Sequence, residues 1–172
     1  MGDADTPRPY RITVVCLGNI CRSPIGEAVL RARVEDVGLA DRVTVDSAGT
    51  GDWHLGHPAD PRALAALDAA GYPHDHVARQ IRRHWFDDLD LVLAMDQSNY
   101  ADLRRMMPAD GPELRMFRSF DPALAALPEP HPDLDVPDPY YGGPEGFTEV
   151  LDMIEQAVDG LVDGLLARDL GR

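Results

Sequence analysis

The sequence predicts one α/β domain, a four-stranded parallel sheet with helices on both faces. Three observations carry that expectation. Short β-branched or apolar runs alternate with segments of helical periodicity, the order that builds a parallel sheet covered on both sides. Gly38, Gly49 and Gly71 close successive segments as turn or helix-stop residues. The 172 residues suit one domain with a sizeable core and show no internal repeat.

Each element follows in order. The opening "MGDADTPRPY" is polar and acidic and lacks the apolar centre of a signal peptide. Residues 1–10 are therefore expected to form a disordered tail and residues 11–168 the domain. "RITVVCL" (Arg11–Leu17) reads as a buried first strand. Ser23 is placed to cap the next helix, and Pro24 suits its first position. Ile25, Ala28, Val29 and Ala32 share one helical face, and Gly38 ends it. Arg42–Gly49 reads as the second strand, Asp60–Gly71 as a helix with a glycine stop, and Asp88–Met95 as the third strand. Asp96–Met107 is the helix after it, and Glu113–Phe117 the fourth strand. The proline- and aspartate-rich stretch 121–144 is longer than an ordinary connection, and such loops are functional or disordered. In the last segment Phe147, Val150, Leu151, Ile154, Val158, Leu161, Val162 and Leu165 keep one apolar helical face.

Composition excludes several partner classes. The formal charge is −14, and all 16 basic residues are arginine. That balance disfavours nucleic acid and anionic membranes as partners. No apolar run approaches the roughly 18–20 residues of a membrane span. Two cysteines suggest a reducing compartment, so a cytoplasmic location is expected, with export by a route needing no signal peptide left open.

Both cysteines fall in "VVCLGNICRSP", where a strand hands over to a helix. Cys16 and Arg22 form a C-x5-R spacing, a weak signal alone. The context sharpens it. Gly18 and Asn19 tolerate left-handed backbone angles, so the loop can turn successive N–H groups inward on an anion. The helix N-terminus adds partial positive charge, and Arg22 adds a fork matched to two phosphate oxygens. The end of a strand facing a helix N-terminus and an arginine is also a setting in which thiols ionise near neutral pH. A metal site is not expected, because Cys16 and Cys21 have no further cysteine partners and the six histidines lack ligand spacing relative to them. Asp138, in "VPDPYYGG", is positioned to act as a general acid from a loop, or simply to open a turn.

The motifs together resemble those of the low-molecular-weight protein tyrosine phosphatases. "VCLGNICRSP" is similar to the family's phosphate loop and "DPYYG" to its acid loop, with "DSAGT", "HVARQ" and "AMDQSN" matching in order between them. The resemblance covers about Arg11 to Leu166 and implies the same four-stranded fold. It implies that Cys16 is the nucleophile, Arg22 the phosphate clamp and Asp138 the general acid. Leu17, Gly18, Asn19, Ile20, Cys21 and Ser23 would form the phosphate loop. Trp53, Tyr140 and Tyr141 would wall the substrate ring. Asn19, Ser23, Ser47 and His76 resemble a network that props the loop, and Asp96 an aspartate facing the site. The implied reaction hydrolyses phosphotyrosine in proteins, and other aryl phosphates, through a phosphocysteine. It needs no cofactor or metal, and phosphate is both product and inhibitor. Two rivals share the loop: an arsenate reductase, which would need relay cysteines beyond Cys21, and a non-catalytic phosphotyrosine-binding module, which could dispense with Asp138. Cys21 is expected to pack at the base of the loop and, under peroxide, to form a reversible disulfide with Cys16.

Overall fold

The computed structural model describes residues 8–168. Four parallel strands, β1 (Tyr10–Cys16), β2 (Val43–Gly49), β3 (Leu91–Ala94) and β4 (Glu113–Met116), lie in the order β2-β1-β3-β4. Helices α1 (Arg22–Asp36), α2 (Pro61–Ala69), α3 (Gln97–Met106) and α4 (Pro144–Ala167) complete the frame. Strand order reverses at β1, with β2 on one side and β3 on the other. The crevice at the carboxyl ends of β1 and β3 is therefore where a ligand is expected in such sheets.

The strands divide their side chains between two cores. Ile12, Val14, Leu91 and Leu93 join α1, α2 and α4 in one cluster. Val15, Val92 and Ala94 pack with Tyr100 and Leu103 of α3, Phe86 and Leu134 in the other. This is the two-residue period of a strand buried on both faces. All eight apolar residues expected on the face of α4 are buried. The first turns of α1 are buried all round from Arg22 to Leu30, whereas Ala32 is only half-buried. That sinks the start of α1, and the loop before it, into the protein.

Several boundaries differ from expectation. Of the expected tail, residues 1–7 lie outside the described residues, while Tyr10 already belongs to β1. Arg8 pairs with Asp90 at 2.9 Å, which anchors the chain just before the strand. Strand β3 is shorter than expected because Arg83–Asp88 winds into a 3-10 turn and the Asp90 carboxylate caps the Arg11 N–H at 2.9 Å. The stretch 121–144 is neither featureless nor loose. Short 3-10 turns at Pro122–Leu124 and Pro132–Leu134 shape it. Leu134 and Val136 are fully buried, and Val136 N–H donates to the Met95 carbonyl at 2.7 Å. Glu129 accepts from Arg115 Nε and from the Met116 N–H, both at 2.6 Å. The loop is a strut that runs from β4 to the open end of the sheet.

Candidate active site

Cys16 is the last residue of β1, and the turn after it folds back over its sulfur. Asn19 is the one non-glycine among the described residues with positive φ, 59°. Asparagine bears that left-handed conformation better than most side chains. Gly18, which also tolerates such angles, does not adopt one. Its requirement is space, since a Cβ there would lie 3.0 Å from His54 Cδ2. Gly49 at the end of β2 is a sharper case. A Cβ on it would sit 2.7 Å from the Leu17 carbonyl oxygen, so only glycine lets the loop settle against the sheet.

The Asn19 side chain orders the rest. Its Oδ1 accepts from the Arg79 N–H at 2.8 Å, which fixes the amide's orientation. Nδ2 then donates to Ser23 Oγ at 2.8 Å and Ser47 Oγ at 3.0 Å. Each hydroxyl, having accepted from Asn19, has its own hydrogen to give. Ser47 gives it to Glu27 Oε1 at 2.5 Å. The hydrogen of Ser23 is free for Cys16 Sγ, 3.0 Å away, and the Asn19 N–H donates to the same sulfur at 3.3 Å. Ser23 is thus not the helix cap the sequence suggested; it lies inside α1, and Cys21 holds the cap position. His76 Nε2 donates to the Asn19 carbonyl at 2.6 Å. Burial lowers the pKa of His76 despite that bond, so its imidazole is neutral at neutral pH.

Arg22 is 3% exposed. One Nη donates to Asp96 at 2.7 Å and to the Val136 carbonyl at 2.9 Å. The other lies 3.8 Å from Asp138. Burial works against the guanidinium's charge, but Cys16, Asp96 and Asp138 more than offset it and raise its pKa. Asp96 fills both roles open to it, since its second oxygen caps α3 by accepting from the Asn99 N–H at 2.8 Å. Asp138 also combines two readings: one oxygen accepts from the Tyr140 N–H at 3.1 Å as a turn opener, and the other faces Arg22.

A cavity of about 360 Å³ opens here, lined by Cys16, Leu17, Gly18, Ile20, Cys21 and Arg22 on one side and Trp53, Asp138, Tyr140 and Tyr141 on the other. Asn19, Ser23, Ser47, His76 and Asp96 are not in its wall; they stand behind it. His54 lines the pocket without having been expected there, tilted against Tyr140 with ring centres 6.2 Å apart. Its position next to Trp53 in "DWH" was the available signal. Arg62 was also missed. It is held by Asp60 and donates to the carbonyls of Tyr140 (2.9 Å) and Gly142 (2.8 Å), tying the acid loop to α2. Asp60 N–H in turn donates to the Ile20 carbonyl at 2.8 Å, so one short chain of bonds joins the two halves of the pocket. Both cysteines are free and buried. Burial, then the charge of Asp60, push the Cys21 thiol up to about 12.

A thiol at a strand end, a loop closed over it and a buried guanidinium at the helix start define a doubly wound α/β protein whose thiol and guanidinium share one pocket. A model of the low molecular weight phosphotyrosine protein phosphatases matches residues 11–170. The chain is 53% identical to a low molecular weight protein-tyrosine-phosphatase of Streptomyces coelicolor, over 95% of this chain and 98% of that one. It is 46% identical to low molecular weight protein-tyrosine phosphatase A of Mycobacterium tuberculosis, over 94% and 96%. Among solved structures, a protein tyrosine phosphatase from Entamoeba histolytica superposes with a TM-score of 0.83 at 34% identity, covering 91% of this chain and 97% of that one. The chain belongs to the low molecular weight phosphotyrosine protein phosphatase family.

Proposed function

We propose that the protein hydrolyses phosphotyrosine in proteins, and aryl phosphates generally, through a phosphocysteine on Cys16. The observation that carries the reading is the convergence of Cys16, Arg22 and Asp138 on one pocket, with Ser23 and the Asn19 N–H aimed at the sulfur. The Cys16 thiolate attacks phosphorus in line while Asp138 protonates the departing phenolic oxygen. Asp138, now a base, takes a proton from the water that releases phosphate from sulfur. Arg22 turns from Asp96 to the phosphoryl oxygens and holds them through both transition states. Ser23 stabilises the thiolate as it leaves in the second step. Product phosphate competes for the same loop. Trp53 and Tyr141, exposed at 68% and 92%, offer ring faces at the mouth to a flat substrate group.

The acidic charge supports a protein substrate over nucleic acid. The free thiols support a cytoplasmic setting. Peroxide would convert Cys16 to a sulfenic acid, from which the Cys21 thiol displaces water to form a disulfide. Its high pKa makes Cys21 a slow resolving thiol.

The test is release of phosphate from a phosphotyrosine peptide. Cys16→Ser should lose activity by about 10⁴-fold or more while still binding phosphate. Turnover within about tenfold of the parent would end the covalent reading.

A further inference from the structure

Glu27 on α1, with His74 and His76 beyond α2, forms a cluster that meets the loop network at two points, the Asn19 carbonyl through His76 and the Ser47 hydroxyl through Glu27. One ligand-capable atom from each of the three lies within 4.8 Å of the other two. His74 Nε2 is 3.5 Å from Glu27 Oε2, and the two side chains are 3% and 8% exposed. That nitrogen is closed off from solvent and has no hydrogen-bond partner. A buried ring nitrogen left unpaired is costly and uncommon, and it calls for an explanation. The His74 ring stacks on His76 with centres 5.6 Å apart. His76 spends its Nε2–H on the Asn19 carbonyl, so its other nitrogen keeps a lone pair.

We propose that Glu27, His74 and His76 form a binding site for a zinc-class divalent cation behind the phosphate loop. Two imidazoles and a carboxylate are a zinc donor set, and two nitrogen ligands select against magnesium and calcium. Bonds of about 2.0–2.1 Å place neighbouring ligands of a tetrahedral zinc about 3.3–3.5 Å apart. The His74–Glu27 pair already has that separation, 3.5 Å. The bond from His76 to the Asn19 carbonyl is the kind of outer contact that fixes the tautomer of a metal-bound histidine. Ser47 occupies Glu27 Oε1 and leaves Oε2 for the ion. The competitor is Arg31, whose Nη2 lies 2.8 Å from Oε2 and also donates to the Val45 carbonyl at 2.7 Å; it is 51% exposed, so a cation on Oε2 would displace it toward water and Val45. Sequence spacing did not show the site, because Glu27 lies on one element and the histidines are two residues apart on another.

The test removes the thiol at position 16 first, since a thiolate is itself a zinc ligand. Calorimetric titration of the Cys16→Ser protein with Zn²⁺ should show one site, and adding His74→Gln should weaken it at least about tenfold. Zinc should raise the melting temperature of the first protein and not of the second. Arg31→Gln removes the competing cation and should tighten binding. Should His74→Gln fail to fold, Co²⁺ added to the Cys16→Ser protein gives an independent reading. Visible bands of a tetrahedral nitrogen–oxygen site are expected, and a spectrum unchanged from aqueous Co²⁺ overturns the proposal. Equal zinc affinity with and without His74 also overturns it, placing the ion elsewhere, for example at His54 and His57. A melting temperature that zinc leaves unchanged in the Cys16→Ser protein does the same.

Discussion

The two walls of the pocket are built by opposite means. On the phosphate-loop side Asn19 and Ser23 are fully buried and Cys16 is 3% exposed. Both the main-chain N–H and carbonyl of Asn19, and each polar atom of its side chain, have a named partner. On the acid-loop side Asp138 is 39% exposed and Tyr141 stands almost wholly in solvent. That wall is secured at its back, by Arg62 and by buried Leu134 and Val136, rather than at its face. The difference matches the two tasks. Charge on a phosphoryl group is best met by dipoles that need no reorganisation, so that wall is fixed in advance. In the proposed reaction the acid and the aromatic rings would meet leaving groups of varied shape, which open faces accommodate.

Substitutions should therefore behave differently on the two sides. The largest effect expected on the open wall is at Asp138. Asp138→Asn should slow aryl phosphates with poor leaving groups by about 10²–10⁴-fold and leave those with good ones nearly unaffected. Steady-state rates across a leaving-group series measure this, and a uniform loss would transfer the acid role elsewhere, first to Asp135 or Asp133.

On the closed wall the expected damage is structural as well as kinetic. Asn19→Ala strands the Arg79 N–H, leaves Ser23 and Ser47 without their donor, and puts alanine at a φ of 59°. A loss of about 2–4 kcal/mol in denaturant unfolding is expected. Trp53→Ala, by contrast, should leave unfolding unchanged within about 0.5 kcal/mol. Its cost should appear in kcat/KM for phosphotyrosine, about 2–10-fold, and not for a small alkyl phosphate. An equal loss on both substrates would make Trp53 a structural residue.

The smallest effect concerns pH. Burial lowers the pKa of both His74 and His76 below the ordinary 6.5. The unfolded chain then takes up protons that the folded chain refuses. The stability tied to the neutral rings is present above about pH 6.5 and is lost as pH falls through the folded-state values. Unfolding followed between about pH 5 and 7 should show this slope, and His74→Gln should reduce it.

Much of this was legible in the sequence. The strand–helix alternation gave the sheet because periods of two and 3.6 residues are strong signals over whole segments. The phosphate loop was legible because Cys16, Gly18, Asn19, Arg22 and Pro24 sit in one short stretch. Asp138 was legible from its segment as either a loop acid or a turn opener, and the structure realises the turn bond as well; the wall roles of Tyr140 and Tyr141 were read through the family's pattern. His54 had one signal, its place beside Trp53, whereas Glu27, Asp60 and Arg62 were not legible. Their roles arise from contacts between elements distant in sequence, as when Arg62 reaches the carbonyl of Tyr140. The course of stretch 121–144 escaped for the same reason, being set by Met95, Arg115 and Gln97 on other elements.

The central claim is that the closed wall carries a nucleophile and the open wall an acid. Rapid acid quench of Asp138→Ala during turnover of an aryl phosphate with a good leaving group tests it most directly. This variant should still form the phosphocysteine but, without its base, hydrolyse it slowly. Phosphorus NMR and peptide mapping should then find one phosphoryl group on sulfur at Cys16, and none when Cys16→Ser is added. Full turnover with no phosphoryl group on Cys16 at any quench time, or one that persists with Cys16→Ser, would contradict the account.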